Sequence, residues 1–416
     1  MRGVIWLVLL FVAAVVAATT LGSNDGLVSL YWSGWRLDVS LNLFVIVLLL
    51  TCLALLLAMR GLQSLVTLPA RAHAWRVQRR ERAAQAALRD ALADYFGARY
   101  ARARKAAARA VAIHNATPEL VGDLQTRTLA HLLWGASLHR LQDRPQRDRQ
   151  LVQLRRLGRR AGLPQRASLV GGLLMAAGWA LDDRDAARAL ALLAELPAGA
   201  ARRTQALRLK LQAQRLAGQP GQALHTARLL AKHQAFSRSA AASLMRALAS
   251  ETLAMARDAD QLERAWQALE APDHADPHIA ARAAAQAARL GVCARGRLWL
   301  KPAWERLAEL GADERDAVAQ ALSANLAGLP ADWLPRIEAA ERALPGDAAV
   351  QAAVGGAYAE RQLWGKARSP LERAAASPVL AGSTRRAAWR HLAALARAEG
   401  DEARAARCHE AAAALD

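Results

Sequence analysis

The sequence predicts an all-α protein: two N-terminal transmembrane helices followed by a solenoid of paired helices. Three observations predict it. Two long uncharged apolar runs fall within the first 60 residues. Beyond them strand formers are scarce, and Ala, Leu, Arg, Gln and Glu dominate, a mix that favours helix. Small alanines and larger apolar residues then alternate between successive helical segments to the end of the 416-residue chain, which is long enough for an anchor plus a solenoid.

The anchor comes first, over residues 1–62. Residues 3–21 and 39–59 carry no charge, and about 20 helical residues rise roughly 30 Å, the thickness of the hydrocarbon core. Arg2, Ala17 and Ala18 also suit a cleaved signal peptide, but the length of the run and the second span after it favour a retained helix. The linker over 22–38 has one cation, Arg36, whereas Arg60, Arg71, Arg76, Arg79, Arg80 and Arg82 follow the second span. The positive-inside rule therefore predicts a short periplasmic loop, with the N-terminus and everything after the second span in the cytoplasm. The loop alternates apolar and polar residues around Ser33-Gly34. That pattern suits a small β-hairpin. It equally suits an interfacial loop with Tyr31, Trp32 and Trp35 at headgroup depth, and the second reading requires less.

A basic juxtamembrane helix is expected over 63–84, with Pro69 ending or kinking the emerging helix. Arg71, Arg76, Arg79 and Arg80 form a collar at the membrane interface, where each cation near an anionic leaflet contributes on the order of 1 kcal/mol. The simpler reading of the collar is that it only fixes topology.

Residues 85–416 read as helix pairs. The best-defined unit is 348–381, where Val354, Gly355 and Tyr358 hold first-helix positions and Ala367, Leu371 and Ala374 hold second-helix positions, closed by Pro378. This is the tetratricopeptide pattern, in which small residues on the second helix let its neighbour pack closely. Residues 202–232 read similarly, with Leu207 and Leu211, a turn at Gly218–Gly221, then Ala223, Ala227 and Leu230. Ala103, Ala107 and Ala110 mark another second helix. Helices can be placed over 260–330 but no repeat register. The stretches 142–150 and 271–278 read as inter-helix loops, the latter because of Pro272 and Pro277.

Chemistry is hard to find. Nucleotide-binding, zinc-protease, serine-hydrolase and calcium-loop motifs do not occur. Cys52, Cys293 and Cys408 form no C-x-x-C pair, so neither a zinc site nor a disulfide framework is indicated. His274 and His278 have a metal-like spacing interrupted by Pro277 and read as solvated loop residues. Cys408, His409 and His391 have ligand chemistry for haem iron but read as ordinary helix residues. The chain carries a formal net charge of +20, most of it between residues 60 and 160. Arg155, Arg156, Arg159 and Arg160 form the densest patch there after the collar. They read first as a solvated helix face and next as a docking site for an acidic protein partner. No aromatic residues interleave with them, so nucleic acid is not expected as a partner.

The N-terminal third resembles the HemY family of proteobacterial inner-membrane proteins associated with haem biosynthesis. The resemblance lies in Asn24-Asp25-Gly26-Leu27-Val28, in Trp35 to Leu41, in Leu68-Pro69, in Arg79-Arg80 and in Gly97 to Lys105. The remainder resembles the family in architecture alone. The resemblance implies a non-enzymatic role at the inner membrane, as a scaffold that binds enzymes of late haem (tetrapyrrole) biosynthesis through its repeats. No cofactor is required by that reading. The alternatives are a haem or porphyrin carrier and an envelope assembly factor unconnected with haem.

Overall fold

The computed structural model describes residues 26–159 and 163–415. The first expected span, 3–21, lies outside the described residues. The rest is all-α but for one β-hairpin. Contacts divide it into two compact units, one ending at Gln153 and one starting at Leu154.

The first unit opens on a hairpin, the first of the two forms that the alternating loop suits, in place of an irregular loop. Strands β1 (Leu27–Trp32) and β2 (Trp35–Ser40) pair antiparallel, with Val28 opposite Val39, Leu30 opposite Leu37 and Trp32 opposite Trp35. Ser33 and Gly34 both have positive φ, 45° and 90°. That is a type I′ turn, whose twist matches the flanking strands. The Ser40 hydroxyl accepts a hydrogen bond from Leu43 N, and the Leu41 amide donates to Gly26 O at 2.8 Å. The strand therefore becomes a helix with no intervening linker.

That helix, α1 (Leu41–Phe96), runs without interruption for 56 residues. Its first part, Leu41–Leu62, has a mean hydropathy of 2.9 with none of its most apolar stretch buried in protein, and is long and apolar enough to cross a membrane. Among the described residues it is the one helix that is. The expected separate helix over 63–84 is instead the middle of α1, and Pro69 lies inside it. A proline there removes one backbone donor at a cost of about 3 kcal/mol. The position lies just past the apolar run, where water can solvate the freed carbonyl.

The far end of α1 packs on α2 (Tyr100–Asn115) through facing alanines. Ala84, Ala87 and Ala91 are buried on α1, and Ala103, Ala107 and Ala110 on α2, the face expected from spacing. Helix α3 (Leu124–Arg140) packs against both. Helix α4 (Arg144–Arg159) begins within the stretch expected to be a loop, its first turn capped by Asp143, which accepts from Gln146 N at 3.1 Å. Buried His131 and His139 meet it, His131 against Gln150 at 2.8 Å and His139 against Arg147 at 3.0 Å.

The second unit is a run of helix pairs. They are α5 (Leu163–Asp182) with α6 (Ala186–Ala194), α8 (Thr204–Leu216) with α9 (Pro220–Lys232) after the one-turn α7 (Ala198–Ala201), and α10 (Arg238–Ala254) with α11 (Ala259–Gln267). After the short α12 (Ala271–His274) come α13 (Pro277–Arg289) with α14 (Cys293–Glu305), then α15 (Ala312–Ser323) and α16 (Leu334–Ala343), the latter packing mainly on α14 and on the helix that follows it. The last are α17 (Ala348–Glu360) with α18 (Trp364–Ala376) and α19 (Gly382–Ala398) with α20 (Glu402–Ala413). From α10 onward each first helix packs against the next first helix or the one before it, so α10, α13, α15, α17 and α19 line one face. The region without a legible register, 260–330, thus holds one close pair, α13 with α14, between less regular neighbours. Aromatic packing hides their pattern, as Trp266 stacks on Trp299 at 5.0 Å and buried Trp304 donates to Arg336 O at 3.3 Å.

Most turns inside the pairs repeat one device. Ala98, Gln142, Arg184, Gly218, Gly291, Gln362 and Gly400 all have positive φ, and each stands two residues before the second helix starts. One left-handed residue reverses the chain and lets the two helices lie antiparallel.

Candidate functional site

A groove opens along the face formed by the first helices of the second unit. Its cavity volume is about 1030 Å³. The floor is nearly all small side chains, among them Ala281, Ala285 and Ala288 of α13, Ala321 of α15, Ala352 of α17 and Ala387 of α19. Small residues are needed because the helices approach closely. A Cβ on Gly356 would lie 2.7 Å from Leu326 Cδ1 and 3.8 Å from His391 Nε2.

Polar groups stand on this floor. On α13, His278, Arg282 and Arg289 share a face with the alanines, and the i to i+7 spacing sets the arginines about 10.5 Å apart along the axis. Both arginines are exposed, and neither has an ion-pair partner among the described residues. Opposite them, α19 contributes Ser383, Thr384 and His391. Burial pushes the His391 imidazole below the usual histidine range, and the negative charge of Glu360 partly offsets this. The arrangement offers two fixed cations, a neutral imidazole and an apolar floor. It can bind carboxylates beside apolar surface.

Sequence reasoning missed this groove, although the 278, 282, 285, 289 spacing on one helical face was available to it. The sequence points instead to Arg155, Arg156, Arg159 and Arg160, of which the structure describes the first three. Arg155 is half-buried and paired with Glu195. Arg156 is exposed, Arg159 closes α4, and Arg160 lies outside the described residues.

The membrane-interface residues divide as well. Trp32 and Trp35 are 83% and 82% exposed on one face of the hairpin. Tyr31 lies on the other face, with the Arg36 guanidinium 5.8 Å from its ring centroid. Arg71 and Arg76 are exposed on α1, and Arg79 stacks over Trp75 at 5.4 Å. Arg80 donates to Ala116 O at 3.2 Å and ties α1 to the end of α2.

This N-terminal architecture is matched elsewhere. Residues 26–130, from the hairpin into α3, match the family model described as HemY protein N-terminus. This stretch carries the N-terminal domain of the HemY family. The match supports a membrane protein associated with haem biosynthesis. It ends before the second unit, so the groove lies outside the matched residues. No curated protein matches the chain.

The remaining candidates are scattered. Val354, Tyr358, Ala367, Leu371 and Ala374 are buried with Gly355 in the core between α17 and α18, holding helices rather than ligands. His274 Nε2 lies 2.8 Å from Trp266 O, while His278 lines the groove. Cys408 is buried in the core, and His409 lies 2.7 Å from an Arg397 nitrogen. With His391 in the groove, these three side chains have separate surroundings.

Proposed function

We propose that this protein is a non-enzymatic inner-membrane scaffold that holds protein partners, enzymes of late haem biosynthesis, in the groove of the second unit. In this reading the helix pairs are a tetratricopeptide-like solenoid. Two spans anchor it and its C-terminal part faces the cytoplasm, where those enzymes work. A reporter fused at the C-terminus and active only in the periplasm would reverse that orientation.

The observation that carries the reading is the pair of unpartnered arginines, Arg282 and Arg289, above a floor of alanines. An exposed apolar floor with two fixed like charges suits a peptide segment bearing carboxylates at a matching spacing, and charge complementarity guides encounter and register. Confinement to the membrane raises the effective concentration of partners, so poorly soluble porphyrin intermediates travel short distances. Affinity purification of the full-length chain from detergent-solubilised membranes tests the proposal. Enrichment of a tetrapyrrole-pathway enzyme is expected, and recovery at background levels would sink it.

A second reading is favoured by His278 and His391 lining the same groove as the arginines. Imidazole and guanidinium groups suit the macrocycle and propionates of a porphyrin, which would make the protein a carrier. Titration of porphyrin into the purified chain separates the two. A Soret shift lost in His391→Ala supports the carrier, and an unshifted spectrum removes it.

A further inference from the structure

The two faces of the hairpin have opposite character. Strand alternation and register put Val28, Leu30, Trp32, Trp35, Leu37 and Val39 on one side, paired across the strands. The other side carries Ser29, Arg36, Asp38 and Ser40, with Tyr31 and an exposed Leu27. There the Ser29 hydroxyl and the Arg36 guanidinium both donate to Asp38 Oδ1, the latter at 3.0 Å, and Arg36 also covers the ring of Tyr31. The apolar side is not covered: Leu37 is 62% exposed, and the two tryptophans more so.

Such a hairpin needs support. Two strands alone are marginal in water, and an apolar face of this size is costly to leave hydrated. The supporting surface must lie close. Ser40 is both the last residue of β2 and the cap of α1, and Gly26 at the start of β1 is hydrogen-bonded to Leu41. Both strands therefore end at the first turn of the apolar helix, and at about 3.3 Å per residue the tip reaches only about 20 Å from it.

We propose that the hairpin lies flat on the bilayer where α1 enters it, with the Trp32–Trp35 face set into the interfacial layer and the Ser29–Arg36–Asp38 face toward water. Tryptophan prefers this layer because its ring is apolar with one polar edge. The charges of Arg36 and Asp38 cancel within the hairpin, so the ligand is the zwitterionic headgroup–acyl boundary and anionic lipid is not needed. The device fixes the depth and rotation of α1 from the side opposite its arginines.

The test uses the full-length chain in phosphatidylcholine nanodiscs, with its three cysteines replaced by serine. Spin labels are placed singly at Leu30→Cys and Leu37→Cys on one face and at Ser29→Cys and Arg36→Cys on the other. Labels at 30 and 37 are expected to collide more with oxygen than with a water-soluble nickel chelate, and those at 29 and 36 the reverse. The proposal is overturned if all four favour nickel, or if 30 and 37 are shielded from both reagents, as beneath residues 1–25 or a second copy. Should labelling disturb the hairpin, brominated lipid provides an independent measurement. The quenched fraction of tryptophan fluorescence is expected to drop in Trp32→Phe/Trp35→Phe, and an unchanged fraction refutes insertion.

Discussion

A Cβ atom on Gly355 would lie 2.7 Å from Leu371 Cγ and 3.0 Å from the Leu371 backbone nitrogen. Helix α17 therefore meets α18 almost backbone to backbone, and the glycine is a packing residue. Gly355→Ala is expected to destabilise the second unit by about 1–3 kcal/mol, the usual range for overpacking. In Gly355→Ala/Leu371→Ala the γ-carbon clash is gone, so the combined loss should be smaller than the sum of the two single losses. Chemical denaturation of the four proteins gives the coupling, and strict additivity would mean the contact is not limiting.

Arg297 is buried and donates to three carbonyls, Asn325 O at 2.6 Å, Ala327 O at 2.8 Å and Gly328 O at 3.1 Å. These carbonyls follow the C-terminus of α15, where a cation also meets the negative end of the helix dipole. Arg297→Ala leaves them unsatisfied and opens a cavity. A loss of about 3 kcal/mol is expected. Arg297→Lys keeps the charge but not the fork of donors, and is expected to recover less than half of it. Thermal unfolding distinguishes the cases, and full recovery by lysine would show that charge alone matters.

The turn positions make a prediction of the opposite sign. Arg184 and Gln362 hold φ values of 60° and 56° where equivalent turns have glycine. A left-handed residue with a Cβ costs about 1–2 kcal/mol, and glycine gives part of that back through its freer unfolded chain. Gln362→Gly is therefore expected to stabilise by about 0.5–1 kcal/mol. A fall in midpoint temperature would show that the side chain contributes more than the backbone costs.

Those same positions show how far the sequence was legible. Gly218 announces its turn, but Ala98, Gln142, Arg184 and Gln362 perform the same function with no local signal, so the pairing could be recognised only where glycine or the buried pattern Val354–Ala374 supported it. The span of α1 was visible because lipid imposes a long uncharged run. Its continuation through Pro69 was not, because the cost of a proline depends on whether its surroundings satisfy the freed carbonyl. The arginines misled for a related reason. Arg155 and Arg282 are alike in sequence, and only the folded chain shows that one has a carboxylate partner, Glu195, and that the other has none among the described residues.

Two histidines predict the acid response. Burial holds His131 below the ordinary histidine range, with Arg127 adding to the shift and Gln150 opposing it, and burial does the same to His391. Their folded pKa values lie below those of the unfolded chain, so the unfolded chain takes up protons first as the pH falls. Stability is therefore complete above the ordinary histidine range and is lost as pH falls through it toward the lower folded values. Melting temperatures measured from pH 7.5 to 5.5 should decline, and less steeply in His131→Gln, whose amide can still meet Gln150. An unchanged slope in that variant would remove His131 as a cause.

The groove arginines should separate binding from folding. Arg282 and Arg289 are exposed and unpartnered, so reversing them breaks no internal ion pair, and the stability of Arg282→Glu/Arg289→Glu is expected to stay within about 0.5 kcal/mol of the parent. Partner binding should respond strongly, because two attractive charges become repulsive toward a carboxylate-bearing segment. A loss of about tenfold or more in affinity is expected, together with a flatter dependence on salt. Arg155→Glu is the control of opposite character, since it breaks the pair with Glu195 and leaves the groove unchanged. Partner capture retained by the groove variant and lost in the control would move the docking site to α4. Capture lost by the groove variant at undiminished melting temperature would fix it on α13.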